Sequence, residues 1–329
     1  MTNKKKSISV PAIVRQNGRK GVAMSPLLNE IAVGGKYLIK DFDKPILTLA
    51  KKKDLKYSEA IYKLTDLPES EYRLFILAHC NFDRKNDGAC YVTKKEAVDI
   101  LGLQDNPDDV IKPLFRLQEK LANLKFYKVE AINEDPFLAL EHKYKLIINA
   151  KRNKTNSDIL FTLILSDKVR DDMRKTPRLN VNLGLLSTMP TAKSKASNLF
   201  LTAAQMSNNP GAFWSIEEIL GRCFSKTKIE TYRKTRSIHK ALKIIADRLV
   251  EMNEMNAVKI QTRTKVILKA ADIRNLFKAK NLMEQVRITE IGNPALKRKP
   301  PQLRKANKPQ ETAPQMTEEQ KIENAKLLG

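Results

Sequence analysis

Apolar positions along the chain recur at two spacings, and the change from one to the other marks out two similar halves. In the first half, PESEYRLFILAHC places Tyr72, Phe75, Ile76 and His79 on or near one helical face, with Pro68 suited to the first turn. DRKNDG is turn chemistry and CYV a short strand. Thr93 then precedes KKEAVDILGL, and Glu96 three residues on completes a capping-box pattern. A further helix is expected over 107–124, with Val110, Leu114, Leu117, Leu121 and Leu124 on one stripe. Pro113 requires that helix to begin just before it. FYKVEAI and KYKLIINA, parted by a turn at 134–136, read as a hairpin.

KRNKTNSD is a polar break, and the β-rich run ILFTLILS fits either the first sheet or a bridge between halves. The order then recurs. TAKSKASNLFLTAAQM is a helix, NNPGAF a turn, and Ser215 caps IEEILGRC with Glu218 at the capping-box position. One long basic helix is expected from about residue 225 to about Met255, anchored by the stripe Ile238, Leu242, Ile245 and Leu249. VKI and VILKA flank the basic turn QTRTK as a second hairpin, and ADIRNLFKAKNLMEQV adds a closing helix. The repeat lies in the order of elements, not in sequence identity.

These patterns predict an α+β, helix-rich chain of two tandem winged helix-turn-helix domains with disordered basic tails. The expected divisions are a flexible basic arm (1–30), a connecting segment (31–65), domain 1 (66–165), domain 2 (166–290) and a disordered tail (291–329). Within 31–65, YLIKDF and PILTLA stay open between short strands and an attachment to the first domain.

Charge sharpens the picture. The net charge is +24 over 329 residues, a bias that favours a polyanionic partner. On one continuous helix, Lys226, Arg233, Arg236, Lys240 and Lys243 would share an arc of about 100° opposite the apolar stripe. Such a helix docks by one face and offers a cationic row to nucleic acid with the other. The groove face would carry Lys226, Lys228, Arg233, Arg236 and Lys240, with Lys243 beside them. Arg233 and Arg236 are the candidate base readers, because arginine alone forks onto the guanine edge. Ser225, Thr227, Thr231 and Tyr232 are candidates for phosphate contacts near the helix start, Thr231 the weakest of them. Arg263 and Lys265 sit at the expected hairpin tip, within reach of the minor groove or backbone. In the first half, Lys112, Arg116 and Lys120 form a weaker row among Asp108, Asp109 and Glu119, equally readable as surface ion pairs.

Enzyme signatures do not fit. Lys36 is followed by Tyr37 and Glu30 stands where a phosphate loop needs its first glycine. His79, His142 and His239 show no paired-ligand spacing, and His79 with Cys80 and Cys90 lacks a fourth zinc ligand. The carboxylates of DNPDD sit where a helix start favours acids anyway. No catalytic residue, metal or cofactor is therefore expected. Cys80, Cys90 and Cys223 make no disulfide framework, no run of about 18 apolar residues occurs, and MTNKKKSISV lacks an apolar signal core. A cytoplasmic protein without a membrane partner is expected.

The paired helix–helix–hairpin units, YVTKKEAVDILGL to KYKLIINA and WSIEEILGRC to KVILKA, together with SKTKIETYRKTRSIHKALK and the basic flanks, resemble the plasmid replication initiators, the iteron-binding Rep proteins. That resemblance implies a non-catalytic initiator. Its second domain would bind direct repeats in double-stranded origin DNA through Arg233, Arg236, Lys240 and Lys226. It would recruit host replication proteins such as helicase or a DnaA-type initiator. The first domain would supply secondary contacts through Lys112, Arg116 and Lys120, and a homodimer interface in an autorepressing form. A winged-helix transcriptional repressor is the alternative, and an RNA-binding basic protein a third reading that low aromatic content weighs against.

Overall fold

A computed structural model of the chain describes residues 19–25, 28, 32, 66–82, 89–122, 125–128, 140–148, 159–192, 194–209, 211–264 and 266–292. All of them lie within one compact unit, Met1–Leu296, of mixed helix and strand.

The first half opens with helix α1 (Glu69–Cys80), strand β2 (Ala89–Thr93) and helix α2 (Lys94–Leu101); strand β1 (Arg19–Val22) precedes them. The capping box is present. Glu96 N–H donates to Thr93 Oγ1 at 3.2 Å and Thr93 N–H to Glu96 Oε2 at 3.1 Å. Gly102 ends α2 at φ 67°, a left-handed cap where a Cβ would stand 3.3 Å from the Ser187 carbonyl. A 3-10 turn (Pro107–Val110) leads into α3 (Ile111–Ala122), so Pro113 sits in the first turn, where its missing N–H costs nothing.

Strands β3 (Lys125–Lys128) and β4 (Leu140–Ile148) pair antiparallel, as the hairpin pattern anticipates. The apolar run beyond them is β5 (Ile159–Leu165), which enters the first sheet between β4 and β2, giving the order β2-β5-β4-β3. Cys90, Leu163 and Leu146 align across three strands as a buried row.

The connection between halves contains structure that the sequence reading did not anticipate: α4 (Asp167–Lys175), β6 (Leu179–Asn182) and α5 (Leu183–Thr188). Among the described side chains helix α4 buries Val169 and Met173, too short a stripe to stand out. Strand β6 pairs antiparallel with β1. Part of the expected flexible arm is therefore ordered, with Val22, Ala23, Met24 and Leu28 buried. Ser25 Oγ lies 2.8 Å from His79 Nε2, and His79 Nδ1 2.8 Å from the Phe75 carbonyl, so both ring nitrogens are occupied. YLIKDF, PILTLA, DRKNDG and the tail beyond residue 292 lie outside the described residues.

In the second half, α6 (Ala196–Asn208), β7 (Trp214–Ser215) and α7 (Ile216–Cys223) repeat the start of the first. The second capping box is also present, with Glu218 N–H to Ser215 Oγ at 3.1 Å and Ser215 N–H to Glu218 Oε2 at 2.9 Å. Then come α8 (Lys226–Lys234), α9 (Ile238–Glu254), β8 (Val258–Thr262), α10 (Ala270–Leu276) and β9 (Gln285–Glu290). The closing helix expected over 271–286 is shorter than its pattern suggests. Its last two residues, Gln285 and Val286, open strand β9, whose remainder (287–290) lies beyond the expected helix, with Val286, Ile288 and Glu290 alternating inward. The expected second hairpin is present in short form, Thr262 N–H donating to the Val266 carbonyl at 3.1 Å and Leu268 N–H to the Ile260 carbonyl at 2.9 Å, and β8 gains a further partner. Ile267 forms only an isolated bridge to Gln261, while β8 pairs in full with β9. The sheet order β7-β9-β8 matches β2-β5-β4 when elements are taken in sequence order.

The repeat extends to residues once the helices are aligned on their buried stripes. Setting Leu114, Leu117 and Leu121 against Leu242, Ile245 and Leu249 places Val110 on Ile238, Lys112 on Lys240, Glu119 on Asp247 and Lys120 on Arg248.

A buried polar junction joins the halves. Glu69 Oε1 accepts from Arg73 Nε at 3.1 Å, from Ser197 N–H at 2.8 Å and from Ser197 Oγ at 2.6 Å. The carboxylate thus closes the N-terminus of α6, where free amides and the helix dipole favour an anion. Arg73, fully buried, also donates to the carbonyls of Ile100 and Pro190.

Two predictions follow from burial. Glu69→Ala strands the Arg73 guanidinium and an α6 amide, and should cost about 3–5 kcal/mol in denaturant unfolding. Replacing both partners by apolar residues (Glu69→Leu with Arg73→Met) should recover most of that loss; no recovery would refute the ion-pair account. Burial holds His79 near pKa 4, below the ~6.5 of an unfolded chain. The fold therefore binds fewer protons, and stability should fall as pH drops through that window, by about 1.4 kcal/mol per unit. Between pH 6.5 and 5, wild type should lose about 1.5 kcal/mol more than His79→Gln; equal losses would remove His79 as the cause.

Candidate nucleic-acid interface

The expected continuous rod is broken. Helix α8 ends at Lys234 and α9 begins at Ile238. Between them Ser237 N–H donates to the Tyr232 carbonyl at 2.8 Å and Arg236 N–H to the Arg233 carbonyl at 3.0 Å. This bond pair is a Schellman cap, with Arg236 in the left-handed position at φ 52° that glycine usually fills. Thr235 Oγ1 reinforces the cap through the Thr231 carbonyl at 2.9 Å and Ser237 Oγ at 2.6 Å. The apolar stripe that suggested one helix belongs wholly to α9. Helix α8 packs inward through half-buried Ile229 and Tyr232.

The single cationic arc is consequently a corner. Lys226 opens α8, its side chain lying outside the described residues, as does Lys265 altogether. Lys228 is half-buried with its ammonium 5.6 Å from the Phe224 ring centroid. Arg233 closes α8 and donates through Nη2 to Glu217 Oε1 of α7. Arg236 projects from the break itself, and Lys240 from the first turn of α9; both are exposed, with no side-chain partner among the described residues. Lys243, on the next turn, donates to Asp247 Oδ2 at 3.0 Å. Arg274 of α10 approaches the same aspartate at 3.6 Å, so the middle of α9 is flanked by α10 and its first two turns carry the open charge. Arg263 is exposed at the turn after β8.

Some expected phosphate ligands are spent on the fold. Ser225 is buried, donates N–H to Asp66 Oδ1 at 3.1 Å and its hydroxyl to Asp66 Oδ2, and accepts from Lys228 N–H at 3.2 Å. Tyr232 stacks edge-on against Phe224 at 5.8 Å. Thr231 is exposed, yet its hydroxyl bonds back to the Thr227 carbonyl at 2.9 Å.

In the first half the same helix position is largely neutralised. Arg116 Nε donates to Glu71 Oε1 at 2.6 Å and Lys120 Nζ to Glu71 Oε2, the carboxylate being fully buried on α1. Lys112 lies 3.4 Å from Asp109, and Asp108 is 2.7 Å from Lys94, so both aspartates after Pro107 pair with lysines. Beside them Phe115 stands about half exposed at the position matched by Lys243.

No protein-family model matches this chain, and no curated protein or solved structure matches it either.

Among the described residues, the buried thiols and one histidine are held by the fold. Burial pushes the thiols of Cys80, Cys90 and Cys223 up to about 12, far from a reactive thiolate. His79 has no free nitrogen for a metal. The residues that sequence reasoning missed are carboxylates: Asp66, Glu71, Glu217 and Asp247. Only Asp247 carried a readable signal, standing four residues beyond Lys243.

The left-handed cap makes a sharp prediction. Arg236→Gly should leave stability within about 1 kcal/mol of wild type, since relief of the left-handed strain opposes a more flexible unfolded chain. Arg236→Val should cost about 1–2 kcal/mol, because a β-branched residue resists that conformation. Equal thermal midpoints for the two variants would overturn the cap assignment.

Proposed function

We propose that the protein is a non-catalytic binder of double-stranded DNA that works through its second half. Each half is taken as a winged helix-turn-helix, because both open helix, strand, helix, both set a long apolar-striped helix (α3, α9) ahead of the remaining strands, and the sheet order β2-β5-β4 recurs as β7-β9-β8. The observation that carries the reading is the corner between α8 and α9. There Arg236 and Lys240 stand exposed and unpaired among the described residues, with Arg233 and Lys243 on either side. A duplex approached by the first turns of α9 would receive Lys240 and Lys243 in the major groove, and Arg236 at its edge or on the flanking phosphate. Arg263, exposed at the turn after β8, is the candidate wing contact. The first half is subordinate, because Glu71 holds Arg116 and Lys120 and leaves Lys112 as the outermost cation.

The resemblance to iteron-binding initiators extends this to a replication origin, with direct repeats as the target and host helicase or DnaA-type factors as partners. A repressor would use the same surface on a short palindrome. Footprinting on the DNA flanking the reading frame separates the two by the spacing of the protected half-sites.

Fluorescence anisotropy with a random-sequence duplex tests the corner. Arg236→Ala and Lys240→Ala should each lower the slope of log affinity against log salt by about 0.9, as one phosphate contact is lost. Arg116→Ala should leave the slope unchanged. Unaltered slopes in both corner variants, or no duplex binding at about 50 mM salt, would refute the proposal.

A further inference from the structure

Two of the four corner cations already hold a carboxylate. Arg233 is paired with Glu217, the second residue of α7, and Lys243 with Asp247, one turn further along α9. Arg236 and Lys240 lie between them in sequence without such a partner among the described residues.

We infer that Glu217 and Asp247 are specificity-determining residues, acting as intramolecular stand-ins for phosphate that keep Arg233 and Lys243 off non-cognate duplex. This rests on the reading of the corner as a DNA surface. A carboxylate offers a cation the same kind of charged oxygen acceptors as a phosphate. Both pairs are solvent-accessible, at 50% and 44% side-chain exposure for Arg233 and Glu217 and 75% and 46% for Lys243 and Asp247. Accessible pairs are weak, so a well-fitted duplex can displace them while a loosely held one does not. Non-cognate DNA then meets chiefly the two open cations, and a cognate site recruits all four.

The two carboxylates differ in one respect. Asp247 keeps Arg274 of α10 at 3.6 Å when Lys243 leaves, whereas for Glu217 no second cation appears among the described residues. Release of Arg233 is therefore the dearer exchange, and Glu217 the stronger restraint.

A double-mutant cycle on a random-sequence duplex of about 24 bp, read by anisotropy across a salt series, tests this. Glu217→Gln should tighten binding about three- to fivefold, the worth of one exposed ion pair, and steepen the salt slope. Asp247→Asn should do less. In an Arg233→Ala background, Glu217→Gln should change affinity by less than about twofold. An equal gain in both backgrounds would mean that Glu217 acts only through net charge, and a loss on Glu217→Gln would mean that it supports Arg233 in place; either overturns the inference alone. Failure of the wild-type protein to bind any duplex overturns the functional reading and this inference with it.

Discussion

Two carboxylates at the start of α1 hold the second half in place. Glu69 caps α6 across the junction, and Asp66 caps the turn into α8 through Ser225. Both act on helix N-termini, where unpaired amides and the dipole make a buried anion tolerable. Lys195, buried 3.9 Å from Asp66 and 5.0 Å from the Phe224 ring centroid, closes the same junction; burial lowers its pKa, and Asp66 opposes that shift. The direction of α8, and hence the place of the basic corner, follows from these contacts. A surface that carries much positive charge is thus anchored from beneath by negative charge contributed by the other half.

The two halves share a topology but differ in electrostatics. In the first, Glu71 rises from α1 into the row Arg116–Lys120 and neutralises it from the buried side. In the second, Lys240 on α9 stays open. At the positions matching Arg116 and Lys120 the second helix carries Ile244 and Arg248, the latter paired with Glu251, so the two helices place their cations differently. Phe115, exposed where its counterpart is Lys243, completes the difference.

The break at Arg236 gives the corner its shape. A continuous helix would spread its cations along one line, whereas the Schellman cap gathers the end of α8, the left-handed residue and the start of α9 about one point. The cap stands without glycine because Thr235 and Ser237 bond across it, and this over-determines a conformation that arginine alone resists.

The local code was legible in the sequence. Capping boxes at Thr93 and Ser215, the stripes of α3 and α9 and the tolerated Pro113 all depend on spacings within a few turns, and all are present. The concentration of cations over residues 226–243 was equally plain. What the sequence did not determine was which of those cations are paired, because Glu71 with Arg116, Asp66 with Ser225 and Glu217 with Arg233 meet only after distant segments pack. Strand β9 was hidden for the same reason: its first two residues fit the end of a helix and the rest stood without a partner until β8 and β7 supplied the backbone bonds. The break at Arg236 escaped notice because its signal is a set of hydrogen bonds and not a glycine or proline. Sequence spacing sets what each segment can form; long-range charge pairing and strand partnership decide what it presents.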